Sequence, residues 1–253
     1  MRRILVTGAN KGIGLAIATA ILEQHGDTAV LLGSRDAGRG QAAVDGLVKA
    51  HADWAARIAP LQIDVASDAS VSAAAAKVAS EHGATALYAI VNNAGIGFGD
   101  GGLKTVLDVN ILGVRRVCEA FLPLLDPDAG RIVNISSAAG PNYVNTCRAD
   151  RQRFFVDPNV TWSALQALMY ECIAMSGDKD AFAAKGLGSG EPYGLSKACL
   201  NSYTMLLARE HPKLRINACT PGFIETDLTR SYAEAQGKKP SDLGMKPPAA
   251  AWR

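Results

Sequence analysis

Tyr193 and Lys197 stand four residues apart in the run Tyr193-Gly194-Leu195-Ser196-Lys197, which puts a phenol and an ammonium on one face of a helix. A free phenol has a pKa of about 10, too high for ready proton exchange near neutrality, and an adjacent cation favours its ionised form. The pair is therefore suited to general acid/base work on a substrate oxygen, with Lys197 tuning Tyr193. By itself the spacing specifies little, because such pairs arise by chance on helices. A second signal is Thr7-Gly8-Ala9-Asn10-Lys11-Gly12-Ile13-Gly14, between the apolar run Ile4-Leu5-Val6 and a helical pattern. Glycines there let the backbone turn sharply and let a pyrophosphate approach the free N–H groups of a helix start. Gly8, Gly12 and Gly14 form a Gly-x3-Gly-x-Gly variant of the dinucleotide fingerprint.

The end of the second apolar run discriminates between nicotinamide cofactors, since an acidic residue there would bind a ribose 2′-hydroxyl and repel a 2′-phosphate. The chain has Gly33-Ser34-Arg35 at that place, and Arg35 offers a bidentate fork to phosphate. Lys11 supplies a second cation from the glycine loop, so NADPH is favoured over NADH, with Asp36 as the one opposing charge.

Short β-branched runs alternate with longer helical patterns, the arrangement of a doubly wound, Rossmann-type parallel sheet with helices on both faces. Strands are expected near 3–7, 28–33, 58–64, 86–91, 130–135 and 213–219, and helices near 12–25, 38–51, 68–82, 103–125 and 193–210. Pro60 would remove a ladder donor, so the third strand belongs at an edge, as it does in the order 3-2-1-4-5-6. The 253 residues, 48% of them hydrophobic, fit one large α/β domain, 1–253. Its 26 basic and 24 acidic side chains nearly cancel, so nucleic acid and anionic membranes are not expected partners. No stretch approaches the roughly 18 apolar residues of a membrane span, and no secretory leader or lipidation motif is visible, so a cytoplasmic location is expected. Cys118, Cys147, Cys172, Cys199 and Cys219 are scattered without a CxxC, and the four histidines form no constellation, so neither a metal nor a disulfide framework is expected. The cysteines read as small core residues, and Trp54, Trp162 and Trp252 as packing residues.

Taken together, the glycine loop, Asp64-Val65, Asn92-Asn93-Ala94-Gly95, Asn110, Ser136-Ser137, Tyr193/Lys197 and Pro221-Gly222 occur in an order that resembles the short-chain dehydrogenase/reductase family over about residues 3 to 228. The resemblance implies NADP(H)-dependent reduction of a ketone or aldehyde. Ser137 would hydrogen-bond the carbonyl, Tyr193 would donate the proton, and Lys197 would hold the nicotinamide ribose while lowering the tyrosine pKa. Asn110 would anchor a water chain to Lys197. Ser137 is preferred to Ser136 because the family's serine is the second of such a pair. The same likeness puts Gly8, Asn10, Lys11, Gly12, Ile13 and Gly14 on the phosphates, Arg35 on the 2′-phosphate and Asp64-Val65 at the adenine. Asn92, Ala94 and Gly95 would form the rim of the cofactor cleft. Pro221, Gly222, Ile224 and Thr226 would form the loop around the nicotinamide amide and phosphates.

Two features depart from most of the family. Fifty-five residues separate Ser137 from Tyr193, an insertion, about 141–192, that resembles the monomeric carbonyl reductases and the menthone and salutaridine reductases. Helical patterns near 148–156 and 161–175 are expected within it, the second N-capped by Thr161, with Leu165, Leu168, Met169 and Cys172 packed inward. The resemblance implies that these helices cover the surface on which relatives dimerise, giving a monomer, and also wall the substrate pocket; dimerisation through the apolar stripe is the alternative. Phe154, Phe155, Met169 and Tyr232 point to a partly apolar pocket. Secondly, Lys246 to Arg253 looks like the start of a helix cut short, which would leave the sixth strand as an edge. A competing function is a catalytically weak NADPH-binding sensor, against which the complete set Asn110, Ser137, Tyr193 and Lys197 argues.

Overall fold

The computed structural model describes residues 1–97 and 101–251, the side chains of Ser231, Tyr232 and Ala235 excepted, so Trp252 lies outside it. Six strands form one sheet: β1 (Arg2–Val6), β2 (Thr28–Ser34), β3 (Ile58–Gln62), β4 (Ala89–Asn92), β5 (Arg131–Ile135) and β6 (Arg215–Cys219). All pair in parallel in the order β3-β2-β1-β4-β5-β6. Leu5, Leu31, Ile90 and Ile132 face one hydrophobic core, and Val6, Val30, Leu32 and Val91 face another. Side chains alternate between faces along a strand, so burial on both sides requires the unbroken apolar runs that the sequence shows. Pro60 sits in the outer strand β3, opposite Leu32, as its missing N–H demands.

On one face lie α1 (Gly12–Gln24) and α2 (Ala37–Ala50). On the other face, α3 (Asp68–His82) is followed by α4 (Gly102–Leu107), a π-turn at Asp108–Leu112 and α5 (Gly113–Phe121). The helix expected over 103–125 is thus interrupted by a wider turn, and Asn110 lies within it. The segment before β6 carries α6 (Ala139–Asn145), α7 (Ala149–Phe155), α8 (Trp162–Ala174), α9 (Lys179–Ala184) and α10 (Pro192–Glu210), with α11 (Asp227–Ala235) after it. Neither α6 nor α9 was expected.

Thr161 caps α8 as expected, its hydroxyl accepting from Ala164 N at 3.2 Å, and Leu165, Leu168, Met169 and Cys172 are buried. The α8 helix packs against α4 and α10, and the Arg115 guanidinium of α5 lies 3.9 Å over the Trp162 ring. Phe155 and Met169 are therefore core residues and not pocket-lining ones, a correction that follows from this packing. Phe154 is partly buried against the same core, and the Tyr232 side chain lies outside the described residues. Cys219 is also corrected: it is exposed because β6 is an outer strand with Ile216 as its one buried residue, whereas the other four cysteines are buried.

Candidate active site

The residues with chemical potential gather at the C-terminal ends of the strands. The glycine loop leaves β1 and enters α1, whose N-cap Lys11 makes no side-chain capping bond, so the first-turn amides have no side-chain partner there. Gly8 and Gly12 adopt φ of +63° and +56°, and a Cβ on Gly8 would lie 2.9 Å from Ala94 Cα. A Cβ on Gly14 would run into the Asn93 amide and the Gly8 carbonyl. The loop is clamped from β4: Asn93 N and Ala94 N donate to Thr7 Oγ1 at 3.0 Å, and Asn93 Nδ2 donates to the carbonyls of Thr7 and Gly8 at 2.9 and 3.0 Å.

The Asn92 side chain takes no part in this clamp. It is buried, donating to Asn134 Oδ1 at 2.9 Å, because the alternation of β4 turns it into the protein. Asn93, passed over in the sequence, touches the glycine loop instead. The Lys11 ammonium pairs with Asp227 at the head of α11. The segment after β6 thus lies against the loop, with the Thr226 methyl in van der Waals reach of a Cβ on Gly12. Gly222 takes a φ of +86°, while the Ile224 side chain is buried and so contributes to packing.

At the end of β2, Arg35 is exposed and has no hydrogen-bond or ion-pair partner among the described residues. The Asp36 carboxylate, the one opposing charge noted in the sequence, is engaged as the cap of α2, accepting from Arg39 N at 2.8 Å. Arg39 shares a cavity of about 400 Å³ with Asn10 and Leu15. It is a second cation that sequence reasoning missed; the signal was its position one helical turn beyond Arg35. The Asp64 carboxylate makes a tight turn by accepting from Ala66 N at 3.0 Å, and Val65 packs against Gly113. An NADP(H) cofactor fits these residues: side chains would fill the glycine cradle, and among the described residues the α1 amides lack a side-chain cap and Arg35 lacks a partner.

Around the other half of the cleft, Ser136 Oγ donates to Asn201 Oδ1 at 2.7 Å, so the first serine is occupied in the fold. Ser137 Oγ instead accepts from Ala139 N at 3.1 Å and lies near enough to the Tyr193 phenol to act on its pKa. The Lys197 ammonium lies 5.5 Å from the centre of the Tyr193 ring and donates to the Ile135 carbonyl at 2.8 Å. Asn110 holds the strand end to α10: its amide exchanges hydrogen bonds with Ile96 N and O at 2.9 and 3.0 Å and donates to Ser196 Oγ at 3.0 Å. A Cβ on Gly95 would stand 3.2 Å from Asn110 Oδ1 and 3.9 Å from Lys197 Nζ, so the glycine keeps this corner open.

Electrostatics differ in one respect from the sequence expectation. Burial raises the Tyr193 pKa above its usual value and outweighs the Ser137 hydroxyl, which acts the other way. Burial likewise pushes the Lys197 ammonium down to about 8 from 10.5. A lysine that keeps its proton to 10.5 when unfolded and to about 8 when folded makes the unfolded chain the better proton binder between those values. Stability therefore rises with pH across that window, and below it the buried charge costs at most about 3 kcal/mol. Lys197→Met is expected to flatten this rise, as read by urea unfolding of the cofactor-free protein at pH values spanning the window.

A larger cavity, about 690 Å³, lies at the opposite ends of the strands between Leu122, Pro123, Leu125, Pro212 and Leu214, and touches none of these groups. The family model described as short chain dehydrogenase matches residues 2–149, more than half of the chain. This chain belongs to the short-chain dehydrogenase family. Among curated members it is 34% identical to mouse (Mus musculus) carbonyl reductase [NADPH] 3, over 98% of this chain and 92% of the relative. It is also 34% identical to (+)-neomenthol dehydrogenase of Arabidopsis thaliana, over 90% of this chain and 84% of the relative. Among solved structures, salutaridine reductase from Papaver somniferum superposes with a TM-score of 0.81 at 25% identity, covering 99% and 92% of the two chains. Menthone neomenthol reductase from Mentha piperita gives 0.75 at 28% identity, covering 86% and 88%. The subgroup expected from the insertion is therefore the observed one, that of the carbonyl reductases and the menthone and salutaridine reductases.

Proposed function

We propose that this short-chain dehydrogenase is an NADPH-dependent carbonyl reductase that converts a ketone or aldehyde to the alcohol in the cytoplasm. The observation that carries this reading is the meeting of Ser137, Tyr193, Lys197 and Asn110 at one rim of the cofactor-compatible cleft. NADPH, when bound, supplies a hydride to the carbonyl carbon. Gly8, Asn10, Gly12, Ile13 and Gly14 would hold its phosphates, Arg35 with Arg39 its 2′-phosphate, and Asp64-Val65 its adenine. Ala94, Gly95, Pro221, Gly222 and Thr226 would line its nicotinamide half. Ser137 orients the substrate oxygen by a hydrogen bond, and the Tyr193 phenol gives that oxygen its proton. Lys197, nearby and charged near neutrality, balances the phenolate left behind, and Asn110 keeps α10 in register with the loop after β4.

The test is NADPH oxidation by the purified protein with a panel of aromatic and aliphatic carbonyls, and NADH as control. Turnover with NADPH supports the reading; tight NADPH binding without turnover on any carbonyl favours the sensor. The cover of α8 over α4, α5 and α10 supports a monomer, expected as a one-chain mass in light scattering at all concentrations tried; a stable dimer mass would reject it.

A further inference from the structure

Glu191 ends the connection from α9 and is the N-cap of α10. Its Oε1 accepts from Tyr193 N at 2.8 Å, its Oε2 from Gly194 N at 2.6 Å, and its main-chain carbonyl from Leu195 N at 3.1 Å. Pro192, first in the helix, has no N–H to satisfy. One residue thus takes up every free donor of the first turn. The seat is a tight one, because a Cβ on Gly194 would come 2.8 Å from Glu191 Oε2, with Tyr143 Cβ at 3.0 Å and the Ala139 carbonyl at 3.1 Å.

Capping alone does not require this residue. Asp36, Ser67, Thr161 and Asp178 each cap a helix of this protein through one side-chain bond. What Glu191 adds is a negative charge two residues from the phenol. The N-terminus of a helix carries roughly half a positive charge, and α10 is 19 residues long. By general electrostatics that partial charge and a nearby ammonium such as Lys197 favour loss of the Tyr193 proton, whereas burial chiefly, and the Glu191 carboxylate in addition, favour its retention. Behind this pair, Tyr143 of α6 donates to the Leu187 carbonyl, and burial raises the pKa of its phenol and of the Cys147, Cys172 and Cys199 thiols, while the charged Arg151 of α7 and Glu171 of α8 act on Cys147 and Cys172. Ser137, from the connection after β5, contributes a polar hydroxyl that lowers the Tyr193 pKa, and no charge.

We infer that Glu191 is a positioning residue for the proton donor: it fixes Tyr193 at the head of α10 and holds the phenol in its protonated form until a substrate oxygen takes the proton. The inference rests on the reading of Tyr193 as that donor. Glu191→Gln keeps an acceptor oxygen and removes the charge, while Glu191→Ala removes both. In Glu191→Gln the high-pH limb of kcat for reduction is expected to move to lower pH by about half a unit or more, with KM for NADPH unchanged. Glu191→Ala should show the same shift and a further fall in kcat at every pH. Ultraviolet difference titration of each chain against its Tyr193→Phe counterpart reads the phenol without turnover and should show the same acid shift. A Glu191→Gln protein with the parent's limb and phenol titration overturns the inference, whatever happens to its Tm. Turnover retained by Tyr193→Phe would sink the donor reading and this inference together, an outcome distinct from an inactive Tyr193→Phe beside an unmoved limb.

Discussion

Tyr193→Phe is expected to lower kcat for carbonyl reduction by about a thousandfold while leaving the Kd for NADPH within about twofold. The substitution removes one oxygen, the phenolic atom on which Ser137 acts, and keeps the ring over which Lys197 lies. General acid catalysis contributes about 10²–10⁴ in rate, and a phenylalanine offers no substitute proton at that place. The backbone bonds from Tyr193 and Gly194 to Glu191 do not involve the ring, so the head of α10 stays in place and a folding defect is not the expected cause of the loss. Steady-state turnover and a fluorescence binding titration on the same preparation separate the two quantities. Retained turnover in a protein that still binds NADPH would show that another group delivers the proton.

The second large effect concerns cofactor choice. Arg35→Ala is expected to raise the KM for NADPH by about ten- to a hundredfold and to leave that for NADH within about twofold, the loss expected of charge-assisted hydrogen bonds to a phosphate dianion. Among the described residues Arg35 has no partner, so its removal orphans none of them. Asp36 is committed to capping α2 and is not free to repel the 2′-phosphate at full strength. Arg39→Ala, one turn along, should act in the same direction and more weakly, because Arg39 already faces Asp36 at 3.6 Å. Equal losses with both cofactors would reject the assignment and place the selectivity elsewhere.

What could be read beforehand, and what could not, divides along physical lines. The sheet order followed from strands that are apolar on both faces and from Pro60, since each reflects a local requirement of the backbone. The motif residues at the strand ends came out together for the same reason: the connections in this fold deliver them there. Side-chain direction at a strand end was a different matter, because one step of alternation decides whether Asn92 or Asn93 meets the glycine loop. The π-turn holding Asn110 was hidden because one widened turn barely disturbs a helical pattern. The pairing of Lys11 with Asp227 joins residues 216 positions apart, and no local pattern announces it. Short α6 contains Gly140-Pro141, which reads as a turn, and its role became visible only in its packing on α10.

The clamp between Thr7 and Asn93 also bears on how the chain is made. Thr7 leaves the ribosome 86 residues before the amide that holds it, and β1 likewise waits for β4 on one of its sides. During synthesis the glycine loop therefore emerges without the contacts that fix its shape, beside a half-sheet of β1, β2 and β3. A nascent chain at that stage has no finished seat for a dinucleotide, so the cofactor rewards completed molecules by mass action instead of guiding incomplete ones.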